Sequence, residues 1–263
     1  MRNRVLRLSL VTAVLSMAML PVAGQAPYRA PRGPDGHPDL NGNWQAFTGD
    51  WDLEGHAAQA SQIVEAGTLL AEPGGISLVD GGTIPFKPDA LAKKKQNYEN
   101  RLTADPVVKC YLPGVPRATY MPYPFQIFQS DKYMAIAYEF DSAFRNIYLK
   151  DPGPAPVDSW MGQSYGHWEG DTLVVEVTGL DERTWLDRAG TYHSDALKVT
   201  ERYTPIAPNI LNYEATIDDS KVYSRPWKIS MPLYKHVEKN AQLIEFKCVE
   251  FVEELMYGKF RKK

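Results

Sequence analysis

From Pro106 onward, apolar residues recur at every second position, and this alternation constrains the fold more than any other feature of the chain. Met134, Ile136, Tyr138 and Phe140 alternate with Ala135, Ala137 and Glu139. Leu173, Val175 and Val177 alternate with Thr172, Val174, Glu176 and Thr178. Leu211, Tyr213, Ala215 and Ile217 alternate with polar neighbours, and so do Trp227, Ile229, Met231 and Leu233. Successive side chains on a strand point to opposite faces, so an apolar set interleaved with a polar one marks a strand covered on one side only. Residues 125–129, 145–149, 165–168 and 197–203 add shorter segments of this kind, and Ile244, Phe246 and Cys248 close the series. Glu169-Gly170-Asp171 and Asp218-Asp219-Ser220-Lys221 read as hairpin turns. About eight or nine strands joined by short connections close as an up-and-down barrel or stack as a sandwich. Sequential hairpins favour the barrel. The expectation is a mainly β fold: an antiparallel lipocalin-like barrel or strongly curved sheet with an N-terminal loop and helix extension.

The N-terminus reads as an address. Arg2, Arg4 and Arg7 precede an apolar run from Leu8 to Leu20 that Pro21 breaks, and Val22-Ala23-Gly24 offers small residues before Gln25. This predicts a signal peptide over 1–24, cleaved near Gly24/Gln25, and a periplasmic or secreted product. The run is short for a membrane helix, and no later segment is apolar enough to span a bilayer, so no membrane insertion of the mature chain is expected. Residues 25–105 are expected to form an N-terminal arm and short helices packed on the core, and 106–263 the antiparallel β core. Within the arm, 56–72 reads as a short helix. Residues 88–102 read as a better one, with Pro88 near its start and Asp89 at its front.

Export gives meaning to the two cysteines, Cys110 and Cys248. An oxidising compartment allows them to bond, closing a loop that chain entropy values at about 4–5 kcal/mol before strain. Two separately buried thiols are the alternative. Neither cysteine sits in a CxxC or beside a histidine at ligand spacing, so no metal site is expected. The formal net charge of −3 and the absence of a basic run argue against nucleic acid as a partner. No glycine-rich phosphate loop follows a strand and no GxSxG elbow occurs, so no cofactor is expected and a hydrolase of the elbow type is disfavoured.

Glu201 is the most informative single residue. In the segment 197–203 it shares a face with Leu197, Val199 and Tyr203. A carboxylate held among apolar neighbours has its pKa raised, which suits a general acid or base. It equally suits a structural ion pair inside the barrel, with Arg145 as partner, or a bulge that turns it outward. His193, in the polar and aromatic loop leading into that strand, is the candidate proton shuttle, with Asp195 to orient it. The alternative is a loop histidine bonded to backbone. A strand from Leu197 to Glu201 already spans about 13 Å, so a His193–Glu201 pair requires the loop to fold back. Asp187 with Glu201 would make a glycosidase-like carboxylate pair. Tyr165, His167, Trp185, Tyr192 and Tyr120 are candidates to line an aromatic ligand pocket, and Arg117 and Arg145 to fix an anionic or phenolic group in it.

Several blocks also resemble one another's order in a known group. Pro38-Asp39-Leu40-Asn41-Gly42 with Trp44, Pro122-Tyr123-Pro124-Phe125-Gln126-Ile127, Trp160-Met161-Gly162, the stretch 166–175, Thr184-Trp185-Leu186-Asp187, His193-Ser194 and Val199-Thr200-Glu201-Arg202 follow in sequence. Together they resemble a large family of exported bacterial hypothetical proteins. The resemblance implies export and a shared β-rich fold and carries no mechanism. The expected function is an exported, cofactor-free acid–base enzyme acting on a small aromatic or apolar molecule: a lyase, isomerase or hydrolase. A non-catalytic carrier of an apolar ligand and a structural envelope protein are the alternatives.

Overall fold

The computed structural model describes residues 28–48, 52–58, 73–257 and 259. The expected signal peptide and most of the expected 56–72 helix lie outside the described residues. Nine strands close into one barrel in chain order: β1 (Gly42–Gln45), β2 (Phe125–Gln129), β3 (Met134–Tyr138), β4 (Phe144–Tyr148), β5 (Gln163–Glu169), β6 (Thr172–Thr178), β7 (Lys198–Ala207), β8 (Ile210–Asp218) and β9 (Trp227–Lys235). The alternation therefore does what it predicts. In β7 to β9 the buried positions are the odd-numbered ones, from Val199 through Tyr213 to Leu233.

Two features depart from the expectation. The barrel is mixed, not wholly antiparallel: β4 and β5 run parallel, with Ile147 opposite Ser164 and Tyr148 opposite Tyr165. A parallel pair needs a crossover, and the β4–β5 connection supplies one through Pro152, Pro154 and Pro156, which suit an extended path and cannot join a ladder as donors. The two strands also approach closely. A Cβ at Gly166, on the inner face of β5, would meet Ile147 Cγ2 at 2.5 Å, so only glycine fits there. Second, the N-terminal arm contributes a stave. Trp44 of β1 lies opposite Phe125 on one side and Lys235 on the other, so β1 closes the barrel between β2 and β9. Closure leaves no free edge, and Ile244, Phe246 and Cys248 accordingly form no strand.

The expected 88–102 helix forms as α1 (Ala90–Glu99) and α2 (Arg101–Ala104), broken at Asn100, whose ψ of 10° leaves the helical range. A 3-10 turn, Pro106–Lys109, follows, and then α3 (Arg117–Tyr120), all four of whose residues are buried. Thr119 of α3 reaches the Tyr138 hydroxyl at 3.2 Å, so α3 packs against the barrel interior. Beyond β9 the chain returns along the 3-10 turn, where the Phe251 N–H donates to the Val108 carbonyl at 2.7 Å, and ends in α4 (Val252–Tyr257). Cys110 and Cys248 are bonded to each other and no described cysteine is free. No helix among the described residues is long and apolar enough to cross a membrane.

The disulfide ties the C-terminal segment to the 3-10 turn across 138 positions of sequence and joins no barrel strand to another. Cys110→Ser with Cys248→Ser is therefore expected to lower the unfolding free energy by about 2–5 kcal/mol. The far-UV signal of the barrel should persist, while limited proteolysis should cut first between residues 240 and 257. Equal protection of that segment in both proteins would remove its assigned dependence on the bond.

Candidate functional site

Inside the barrel a polar cluster on β4, β5, β7 and β8 interrupts the apolar lining. Arg145 of β4 and Glu201 of β7 form an ion pair whose side chains are 1% and 0% exposed. Each partner's remaining capacity is met locally. Arg145 Nε donates to Ser164 Oγ of β5 at 2.7 Å, and the Tyr203 and Tyr213 hydroxyls donate to Glu201 Oε1 at 2.9 and 2.8 Å. Strand register accounts for the meeting. Glu201 lies opposite Val175 and Ala215, Arg145 opposite Ile136, and Ser164 opposite Val177, so all three project inward. Burial works against the charge on Arg145, but the Glu201 carboxylate outweighs it, and the guanidinium pKa stands well above its ordinary value. Burial and then the Glu201 charge push the Tyr203 and Tyr213 phenols well above theirs, so both stay protonated donors. This is the ion-pair geometry, with Glu201 inside and not turned out by a bulge.

The other predicted site residues are dispersed. His193 is buried, with Nε2 2.6 Å from Thr184 Oγ1 and Nδ1 2.8 Å from the Ser194 carbonyl, the loop histidine bonded to backbone. Burial lowers its pKa and keeps the ring neutral. Asp195 does not orient it: that carboxylate is 57% exposed and pairs with Lys221. No hydrogen bond joins His193 to Glu201. Tyr165 and His167 alternate with inward Ser164 and Gly166, so they face outward, where their rings lie 5.6 Å apart and His167 approaches Glu169 at 3.5 Å. Arg117 is fully buried and forks onto Asp105 with two 2.9 Å bonds, which leaves that geometry spent on a carboxylate of the chain itself. The Tyr120 hydroxyl donates to the Leu186 carbonyl. Trp185 and Tyr192 form a bridge with each other and line a cleft on the flank of the barrel.

Asp187 does not meet Glu201. It is fully buried and accepts from Leu53 N at 3.2 Å, Thr191 N at 2.9 Å and Thr191 Oγ1 at 2.8 Å, stitching the N-terminal segment to the 184–193 loop. Burial, and then the charge of nearby Asp52, push its carboxyl up to about 7, while Lys94 and the Thr191 bonds oppose the rise. Asp52 is itself raised by burial. Nothing in the spacing of two aspartates so far apart in sequence marks this pair.

Glu201 lines none of four cavities, of about 370 to 490 Å³, around the barrel. A cleft of about 490 Å³ where β4 and β5 diverge reaches Arg145 and Ser164, both of them buried. A cavity of about 370 Å³ lies outside the barrel between α2, the 3-10 turn and the C-terminal segment, walled by Leu102, Val107, Val108, Met121, Phe140 and Phe246. Three charged residues also reach this cavity: Asp105, held by Arg117; Lys247, paired with Glu245 at 3.1 Å; and Arg188. A third cleft, of about 390 Å³, holds Trp185 and Tyr192 together with Trp160, Tyr111 and several cations. Among the described residues no group of three or more histidines, cysteines or acids is placed to hold a metal ion.

Two expectations follow. Glu201→Gln keeps an acceptor for the tyrosines but leaves the Arg145 charge buried and unpaired. It should cost about 3–5 kcal/mol in urea denaturation. A loss under about 1 kcal/mol would mean the pair does not hold the lumen together. The Asp187 pair sets a pH dependence of known sign. A carboxyl whose folded pKa of about 7 exceeds its ordinary 3.8 contributes stability that is full below 3.8 and is lost as pH rises from there to about 7. His193, held neutral by burial, has the opposite sign and costs stability on acidification below its ordinary 6.5. Asp52→Asn removes the neighbouring charge but not the burial of Asp187, so it should shrink the first effect and leave the second. The melting temperature of the parent should fall more steeply than that of the variant between about pH 4 and about pH 7, and parallel curves would count against the coupling.

Comparison with family models, with curated proteins and with solved structures finds no match to the chain.

Proposed function

We propose that the protein is an exported binding protein for a small apolar molecule, held in the cavity between α2, the 3-10 turn and the C-terminal segment. The observation that carries this reading is the chemistry of that cavity. Its volume of about 370 Å³ falls at the small-molecule end of ligand sites, and its walls are mostly aliphatic and aromatic, with Asp105, Arg188 and Lys247 among them. Met121 and the rings of Phe140 and Phe246 supply adaptable and rigid apolar surface together. Catalysis needs an acid or base within reach of the guest. Here Asp105 is held by two bonds from Arg117, and Cys248 is consumed in its disulfide. Glu201, the strongest acid–base candidate in the sequence, is enclosed with its ion-pair and phenol partners. Retention without turnover is the behaviour such walls favour. The disulfide supports release into an oxidising compartment as the setting.

A neutral fluorescent probe, N-phenyl-1-naphthylamine, tests the reading with the full chain. It should bind with a blue-shifted emission, and Val108→Trp, which places an indole in the cavity, should weaken binding at least about tenfold, or about 1.4 kcal/mol. Thermal unfolding of that variant confirms that it is folded. Glu201→Gln, assayed at a temperature where it remains folded, should leave probe affinity unchanged. Unaltered binding to Val108→Trp would move the ligand elsewhere, and conversion of a bound metabolite by the parent but not by Glu201→Gln would restore the enzyme reading.

A further inference from the structure

We infer that the cleft on the barrel flank holding Tyr111, Trp160, Trp185 and Tyr192 is a second, separate binding site, and that its ligand is a small aromatic anion of the carboxylate class. Four segments converge there: α1 through Lys93, the stretch after α2 through Lys109 and Tyr111, the β4–β5 connection through Trp160, and the loop between β6 and β7 through Glu182 to Tyr192. Its walls are rings. Tyr111 and Trp160 stack at 4.6 Å with their planes 9° apart, and Trp185 bridges to Tyr192. Tyr111 remains 45% exposed and offers open ring area to a planar guest.

Charge makes the site selective. Lys93 and Lys109 both line the cleft, and neither has a carboxylate within 4 Å among the described residues. Three lysines elsewhere are paired: Lys94 with Glu54, Lys221 with Asp195, and Lys228 with Asp80 and Glu214. Lys93 instead lies over the Tyr192 ring, its Nζ 4.3 Å from the centroid, and Arg183 lies over Trp160 at 4.7 Å. A cation resting on a ring face keeps most of its charge available to a second partner. Arg183 is neutralised by Asp181, and Glu182 also lines the cleft, so the unopposed charge is that of the two lysines against one acid. In a chain whose formal net charge is −3, a cleft with surplus cations over aromatic walls is matched by a ring bearing a carboxylate. A neutral aromatic would forgo the lysines, and a simple inorganic anion would forgo the rings.

The test uses the full chain, 2-naphthoate as probe and 2-naphthamide as its neutral counterpart, with binding followed calorimetrically and by the indole N–H resonances of Trp160 and Trp185. Naphthoate should bind at least about tenfold tighter than the amide, weaken as salt is raised, and shift those two resonances. Lys93→Gln with Lys109→Gln should abolish the preference while leaving the melting temperature within a degree or two. Saturation with N-phenyl-1-naphthylamine should leave naphthoate affinity unchanged. Equal affinity for acid and amide, full affinity in the double variant, or no binding at millimolar probe overturns the assignment. Displacement of naphthoate by the neutral probe overturns it too, since the anion would then occupy the apolar cavity. Failure of the neutral probe to bind bears on that cavity alone.

Discussion

The fold is organised around one buried ion pair. Arg145 and Glu201 sit on strands three apart in the barrel, and their charges meet in a lumen otherwise filled by Ile127, Ile136, Val175, Ala215 and Ile229. Removing two charges from water is expensive, and the attraction between them repays it only when every remaining lone pair and proton finds a partner. Ser164, Tyr203 and Tyr213 provide those partners. The pair also fixes register. A slip of one residue in β7 would turn Glu201 to the outer face and bring Arg202 or Thr200 into the lumen opposite a guanidinium. An apolar core of equal volume would tolerate alternative pairings better than this one.

The same completeness is why the proposed sites lie outside the lumen. Each donor and acceptor that makes Glu201 affordable inside the barrel is one that a substrate would have to displace. The proposed sites are clefts on the outside, built from the connections that flank the barrel: α1, the stretch from α2 to Tyr111, the loop between β6 and β7, and the C-terminal return. The regular strands supply rigidity and the irregular segments supply shape.

Much of the barrel was legible in the sequence because its information is local. The period-two pattern identifies β3 and β6 to β9, and the position of Glu201 between Val199 and Tyr203 places an acid on the inner face. Arg145 was legible as its partner for the same reason, since Ile147 shares its face. The inner face of β5 was not, because it carries Ser164 and Gly166 while the larger Tyr165 and His167 point out. Ring size is a poor guide where two strands approach too closely for a Cβ. The parallel β4–β5 pair and the closing role of β1 depend on where distant segments dock, as does the meeting of Asp52 with Asp187. Alternation within a strand says nothing about which strand lies beside it.

The stretch from Leu102 to Tyr111 is a wall common to both proposed sites. Leu102, Val107 and Val108 face the apolar cavity, and Ala104, Pro106, Lys109 and Tyr111 face the cationic cleft. Two sites that share a wall influence each other only if the wall has two arrangements between which a ligand can choose. Here it has been given reasons to keep one. The Asp105 side chain accepts from Val107 N at 3.0 Å and receives the Arg117 fork, and Cys110 is tied to Cys248. Removing any of these contacts frees the wall from one side only. With all of them in place, occupation of one site leaves the geometry of the other unchanged, and the two ligands should bind independently despite being separated by a single strip of chain.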